Sequence, residues 1–182
     1  MMKIWQLQFE VDKYDNLIPM KEFTAAEIQS FDGRIKKDIW KPLPVKRMEP
    51  EKKLALSDAP GFTIPVFSKK ALEILRPLIQ NSVEELALQF QEAEYYGINV
   101  TAVLNVIDYS KAKYRMYSDG KRIMAFQKYA FRNCIELRNN NIFKIVDEPT
   151  RRAFVSEKFK QTVENNNLSG FKFKLAWESE QE

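Results

Sequence analysis

Residues 154–177 read Phe154-Val-Ser-Glu-Lys-Phe-Lys-Gln-Thr-Val-Glu-Asn-Asn-Asn-Leu-Ser-Gly-Phe-Lys-Phe-Lys-Leu-Ala-Trp177. Within this stretch the hydrophobic period changes from that of a helix to that of a strand. Phe154-Val155 leads into Ser156, a residue type that caps helices, and Phe159 and Val163 fall on one helical face. The asparagine run to Gly170 ends the helix, because glycine takes the backbone angles that close a C-terminus. Phe171, Phe173, Leu175 and Trp177 then alternate with Lys172 and Lys174, the period of a strand with one buried face.

Outward from here the same two patterns recur. Trp5, Leu7, Phe9 and Val11 alternate with Gln6, Gln8 and Glu10, which predicts a strand with one face in the core. Asp15-Asn16 supplies turn chemistry after it. Thr24-Ala-Ala-Glu27 matches a capping box and predicts a short helix over 25–31, closed near Gly33. Prolines at 42, 44, 50, 60 and 65 predict a long connection across the surface or along a sheet edge. Ser68 is set to cap a helix carrying Leu72, Leu75 and Ile79, with Pro77 expected to kink or shorten it. Leu86, Leu88 and Phe90 predict another strand. Val100-Thr-Ala-Val-Leu-Asn-Val-Ile107 is nearly all apolar and predicts a central strand buried on both faces. Residues 109–131 read as a hairpin bent at Ser118-Asp119-Gly120, and 142–146 as a short strand. Many strands with two or three helices predict an α+β fold, a mixed or mainly antiparallel sheet with the helices packed on it.

A chain of 182 residues fits one domain spanning 1–182, long enough to hold a core without disulfides or metals. No repeat is evident at periods of 20–50 residues, which argues against a solenoid. The N-terminus lacks the continuous apolar run of a signal peptide, and the lone Cys134 asks for no oxidising compartment, so a cytoplasmic protein is expected. Cys134 reads as a small core residue.

The composition excludes much chemistry. There is no histidine, so histidine triads and histidine-based general-base catalysis are out, and no Cys/His zinc site can be assembled. The five glycines lie too far apart for a phosphate-cradling loop. Carboxylate chemistry survives: Glu84-Glu85 and Glu92/Glu94 are candidates for an acid/base pair or a Mg²⁺ site, weighed against solvated faces of a strand and loop. No cofactor, metal or catalytic residue is expected.

One patch stands out. Lys111, Lys113, Arg115, Lys121 and Arg122 are interleaved with Tyr109, Tyr114 and Tyr117 and accompanied by a single acid, Asp119. In a strand, Lys111, Lys113 and Arg115 share one face and leave Ala112, Tyr114 and Met116 on the other. The patch is either a solvated hairpin face or a surface that meets an acidic partner. In the second case Lys111, Lys113, Arg115, Tyr117, Lys121 and Arg122 are the contact residues.

Several short motifs also fall in order along nearly the whole chain. They are Met2-Lys-Ile-Trp5, Phe31-Asp-Gly33, Pro65-Val-Phe-Ser68, Tyr96-Gly-Ile-Asn-Val100, Phe143-Lys-Ile145, Val155-Ser-Glu-Lys-Phe159 and Leu168-Ser-Gly-Phe-Lys-Phe173. In this series the chain resembles the bacterial immunity protein 11 family, associated with polymorphic toxin systems. The resemblance implies a cytoplasmic, non-catalytic immunity protein whose partner is a cognate toxin encoded nearby, with no membrane partner. It carries over no catalytic residue. The alternative is a nucleic-acid-binding accessory domain using the basic-aromatic hairpin at 111–132.

Overall fold

The computed structural model describes residues 1–179. Among them lie twelve strands and four α-helices, where the sequence patterns predict two or three helices. In chain order the elements are β1 (Lys3–Phe9), β2 (Leu17–Pro19), α1 (Ala25–Gln29), β3 (Leu43–Arg47), β4 (Val66–Ser68), α2 (Lys69–Ile79), β5 (Val83–Gln89) and β6 (Tyr95–Val100). Then come β7 (Val103–Leu104), β8 (Lys113–Met116), β9 (Ile123–Lys128), α3 (Ile135–Asn139), β10 (Ile142–Ile145), β11 (Phe154–Ser156), α4 (Glu157–Asn165) and β12 (Phe171–Glu178). One sheet has the order β12-β1-β11-β10-β7 and a second the order β2-β3-β5-β6-β4, while β8 and β9 form a separate hairpin. Pairing is antiparallel except for β10 with β7 and β3 with β5. The fold is α+β.

The architecture contains a repeat, at a far longer period than a solenoid's. In one half, β4 leads through α2 to β5, and β6 lies between the two strands, antiparallel to both. In the other, β11 leads through α4 to β12, with β1 between them in the same sense. Both helices begin at a serine that ends the preceding strand. Ser68 Oγ accepts from the Ala71 amide at 3.1 Å, and Ser156 Oγ accepts from the Phe159 amide at 3.1 Å.

Each serine is gripped in turn by one residue. The Ser68 amide donates to the Asp58 carbonyl and its hydroxyl to Asp58 Oδ1, both at 2.8 Å. The Ser156 amide donates to the Asn141 carbonyl at 3.1 Å and its hydroxyl to Asn141 Oδ1 at 2.8 Å. Each gripping residue then reaches across to the far end of the other half's helix. Asp58 Oδ2 accepts from the Ser169 amide at 2.9 Å, beyond α4, and Asn141 Nδ2 donates to the Leu78 carbonyl at 3.2 Å, in α2. Gly170 completes the crossing at φ +84°, where a Cβ would collide with Ser57 Oγ and lie 2.6 Å from the Ala59 carbonyl oxygen.

The helices α2 and α4 pack together over a core that draws Phe67, Leu72, Leu75 and Ile98 from one half and Leu7, Val155, Phe159 and Phe171 from the other. The α2 helix runs through Pro77 to the buried Ile79 and is not shortened. Pro77 forfeits one amide donor, yet the turn beyond it still closes, with the Gln80 amide donating to the Arg76 carbonyl at 3.0 Å.

Three expectations need correcting. β1 is covered on both faces: Leu7 enters the helical core, Ile4 enters a second aromatic core, and a bulge after Ile4 shifts its register against β12. The proline-rich connection contains β3, paired with β2 on one side and β5 on the other, with the prolines accommodated because its pairing is short. Residues 100–107 are not one central strand. β6 ends at Val100, the Thr101 and Ala102 amides both donate to the Ser82 carbonyl, and Val103–Leu104 joins the other sheet. The run is apolar because it crosses between two cores, and the doubly buried strand is β6. Asp15 and Asn16 close the turn that follows β1 and are themselves buried: Arg47 holds Asp15 at 3.3 Å, and Asn16 Oδ1 accepts from the Gly61 amide at 3.0 Å.

The caps give a direct test. Ser68→Ala and Ser156→Ala should each cost about 1–2 kcal/mol in urea denaturation. Burial pushes the Asp58 carboxyl up, but hydrogen bonds from Ser169 and Ser68 and the charge of Lys70 outweigh it and hold it below its ordinary value. Its contribution is therefore complete above the ordinary carboxylate range and lost as pH falls through the lowered folded value. Asp58→Asn should flatten the acid limb of the stability curve, measured by denaturant titration across pH 2 to 6 (about that range).

Candidate functional site

The hairpin sits where the sequence places it, with β8 and β9 joined through Asp119-Gly120 and Gly120 at φ +66°. A ladder of rings fixes it to the body. Tyr109 meets Tyr114 at 6.0 Å, Tyr114 meets Phe126 at 5.8 Å, Phe126 stacks on Tyr129 at 4.9 Å, and Tyr129 meets the buried Phe154 at 5.0 Å. Two bonds brace it from outside. Tyr109 Oη donates to Asp147, and Arg151 Nη2 donates to the Met124 carbonyl at 2.9 Å. Desolvation, with Asp147 beside it, raises the Tyr109 phenol above its ordinary value, so this bond keeps its proton at neutral pH.

The six predicted contact residues divide between two faces. Tyr117, Lys121 and Arg122 line a groove of about 760 Å³ together with Tyr114, Met116 and Val146. Lys113 and Arg115 lie outside that groove and are exposed. Lys111 is not on the strand. It belongs to the turn before it, where its amide donates to the Asp108 carbonyl at 3.1 Å. Arg122 pairs with Asp119 at 3.0 Å and stacks over Tyr117 at 5.0 Å. Lys113 stands directly across the ladder from Lys128, and neither these two nor Arg115 or Lys121 has a carboxylate within 4 Å among the described residues.

A larger cleft, about 1010 Å³, opens between the two sheets. Gln6, Gln8, Tyr129 and Lys144 lie in one part of its lining, and Leu17, Phe31 and Phe62 bring apolar surface to the rest. Gln6 Nε2 donates to Tyr129 Oη at 3.3 Å, Tyr129 Oη donates to Glu148 Oε2 at 2.8 Å, and Glu148 pairs with Arg151 at 2.9 Å. Burial first, and the Glu148 carboxylate second, raise the Tyr129 phenol. Lys144 is 5% exposed, and its Nζ donates to the Phe31 carbonyl. Burial lowers its pKa to about 8, with Asp32 partly opposing the drop. Sequence reasoning missed this residue. The available signal was a lone lysine in the otherwise apolar run Ile142-Phe-Lys-Ile-Val146.

The candidate carboxylates are engaged separately. Glu84 accepts from the Lys36 and Lys37 amides and from Asn99, Glu85 pairs with Arg76, Glu92 clamps Arg47, and Glu94 pairs with Lys69. No cluster of three or more Asp, Glu or Cys suited to a metal occurs among the described residues. Cys134 is half-buried against the second core. No helix among the described residues is long and apolar enough to cross a membrane.

Lys144 has a pH signature. Its depressed folded value means that between about pH 8 and its ordinary 10.5 the unfolded chain holds a proton the folded chain has released. Stability attributable to this site therefore rises with pH across that window, by up to ~3 kcal/mol. Denaturation of wild type and Lys144→Met at matched pH should show the variant's relative advantage shrinking from pH 7 to pH 10 (about those limits).

No curated protein matches the chain. The model of the Immunity protein family (Imm11) matches residues 83–177. The matched span runs from the start of β5 almost to the end of β12 and takes in the hairpin, Lys144 and the Ser156-capped unit, while the motifs at 2–5, 31–33 and 65–68 lie outside it. Since more than half of the chain is covered, the protein belongs to the Imm11 immunity protein family.

Proposed function

We propose that this protein binds and neutralises a cognate toxin in the cytoplasm, without catalysis, and that the 111–128 hairpin is the surface that meets it. Family membership supports the immunity role. The observation that carries the choice of surface is the Lys113–Lys128 pair. Like charges directly opposite in a ladder destabilise it, so the fold gains nothing from this arrangement, whereas an acidic partner would relieve it. Beside these cations, the exposed Tyr114, Met116, Tyr117 and Val146 provide aromatic and apolar surface at a groove edge. Tyrosine and arginine most often supply interface energy, and methionine is enriched at such surfaces. The same cations suit a nucleic-acid backbone. A protein partner is favoured because the Tyr117 ring is already covered by Arg122, and Met116 and Val146 offer no base-stacking platform.

The test pairs this chain with the toxic domain encoded beside its gene. Wild type should restore growth and co-purify with that domain. Lys113→Ala combined with Arg115→Ala should weaken the complex by about tenfold or more, chiefly by slowing association, while leaving the fold as stable or slightly more so. An unchanged complex would remove the hairpin from the interface. Absence of both rescue and complex, with oligonucleotide binding that falls steeply with salt, would replace the reading with nucleic-acid recognition.

A further inference from the structure

We propose that the cleft between the two sheets is a binding site for a carboxylate carried on an apolar or aromatic group, with Lys144 as the residue that receives the charge. The strand around Lys144 would accept a hydrophobic residue at that position, since Ile142, Phe143 and Ile145 are fully buried. A buried ammonium is costly unless it is paired, and this one has only the neutral Phe31 carbonyl, with no carboxylate within 4 Å among the described residues. An ammonium has three donors, so two remain for a ligand.

The rest of the cleft fits the same ligand. Arg152 and Lys172 add positive charge and have no ion-pair partner among the described residues. Of the acids in the lining, Glu148 is taken by Tyr129 and Arg151 and Glu49 by Lys52, so an anion is opposed by Asp12 and, from outside the lining, by Asp32, which pairs with Arg34 at 2.9 Å. Phe31 and Phe62 give an aromatic stem apolar surface to lie against, and Gln6 and Gln8 supply polar groups that fix its orientation. The charge can come from a free apolar acid or from the carboxyl end of a peptide. This inference does not depend on the hairpin.

The probes are 3-phenylpropionate, its uncharged amide, and N-acetyl-alanyl-phenylalanine, each titrated into ¹⁵N-labelled full-length protein and followed by amide chemical shifts. The acids should give saturable shifts at Phe31, Tyr129 and Ile145, and the amide should bind about tenfold or more weakly. Lys144→Met should lose the same factor with the remaining spectrum intact, while Lys113→Ala combined with Arg115→Ala should bind the acids as wild type does. Tighter binding of the dipeptide than of phenylpropionate assigns the charge to a peptide end, and equal or weaker binding to a free acid. Non-saturable shifts, equal binding of acid and amide, or unchanged binding by Lys144→Met would overturn the proposal. Should Lys144→Met not fold, the acid-against-amide comparison on wild type decides alone.

Discussion

Two side chains hold the architecture together, Asp58 and Asn141. Each grips the serine that starts one helix and reaches to the far end of the other half's helix. A helix N-terminus has unsatisfied amides, and a capping serine meets one of them only if its hydroxyl is correctly oriented. Here the orientation is imposed from outside, because each hydroxyl's proton is committed to Asp58 or Asn141 and its lone pairs are turned to the helix. The same contacts fix α2 against α4 and thereby fix which faces of β1, β6 and β11 are closed by the helical core. Gln6 and Gln8 are left facing the inter-sheet cleft. The cleft follows from where the helices are pinned.

Local chemistry was legible in the sequence wherever a few adjacent residues determine the outcome. Ser68, Ser156 and Thr24 cap the helices their patterns promised, and at Thr24 both halves of the capping box form. The bend at Asp119-Gly120 also reappears, and β12 forms, but its predicted alternation holds only through Phe171 and Phe173: Leu175 is exposed where the bulge against β1 shifts the register. Failure came where one residue type serves two ends. An apolar run crossing between two cores has the same composition as a doubly buried strand, which is why 100–107 misled. Asp15-Asn16 has turn chemistry, yet the partner that makes its burial tolerable is Arg47, in a segment whose prolines hid a strand. The α3 helix has only Leu137 buried, too little for a periodic signal.

The functional surfaces follow the same division. The basic and aromatic content of the hairpin is plain in the sequence, but its most telling feature is not, because Lys113 and Lys128 become neighbours only through strand register. Two bulges in that short ladder defeat simple counting from the turn. The cleft is harder still. Its lining comes from Gln6, Phe31, Tyr129 and Lys144, which no local pattern brings together. A charged residue in an apolar strand was its one visible trace.

Arg151 connects the two surfaces. One of its terminal nitrogens pairs with Glu148, whose other oxygen receives the Tyr129 hydroxyl, and the other donates to the Met124 carbonyl in β9. Glu148, Thr150 and Arg151 line both the cleft and the hairpin groove. An anion drawn toward the cleft's cations would compete with Glu148 for Arg151. Weakening that pair would release part of the brace on β9. The ring ladder from Tyr109 through Phe126 to Phe154 does not pass through Arg151, so the hairpin would keep its anchor while its outer strand gained freedom. Cleft and hairpin thus share one guanidinium, which ties the Tyr129–Glu148 pair of the cleft to the outer strand of the hairpin.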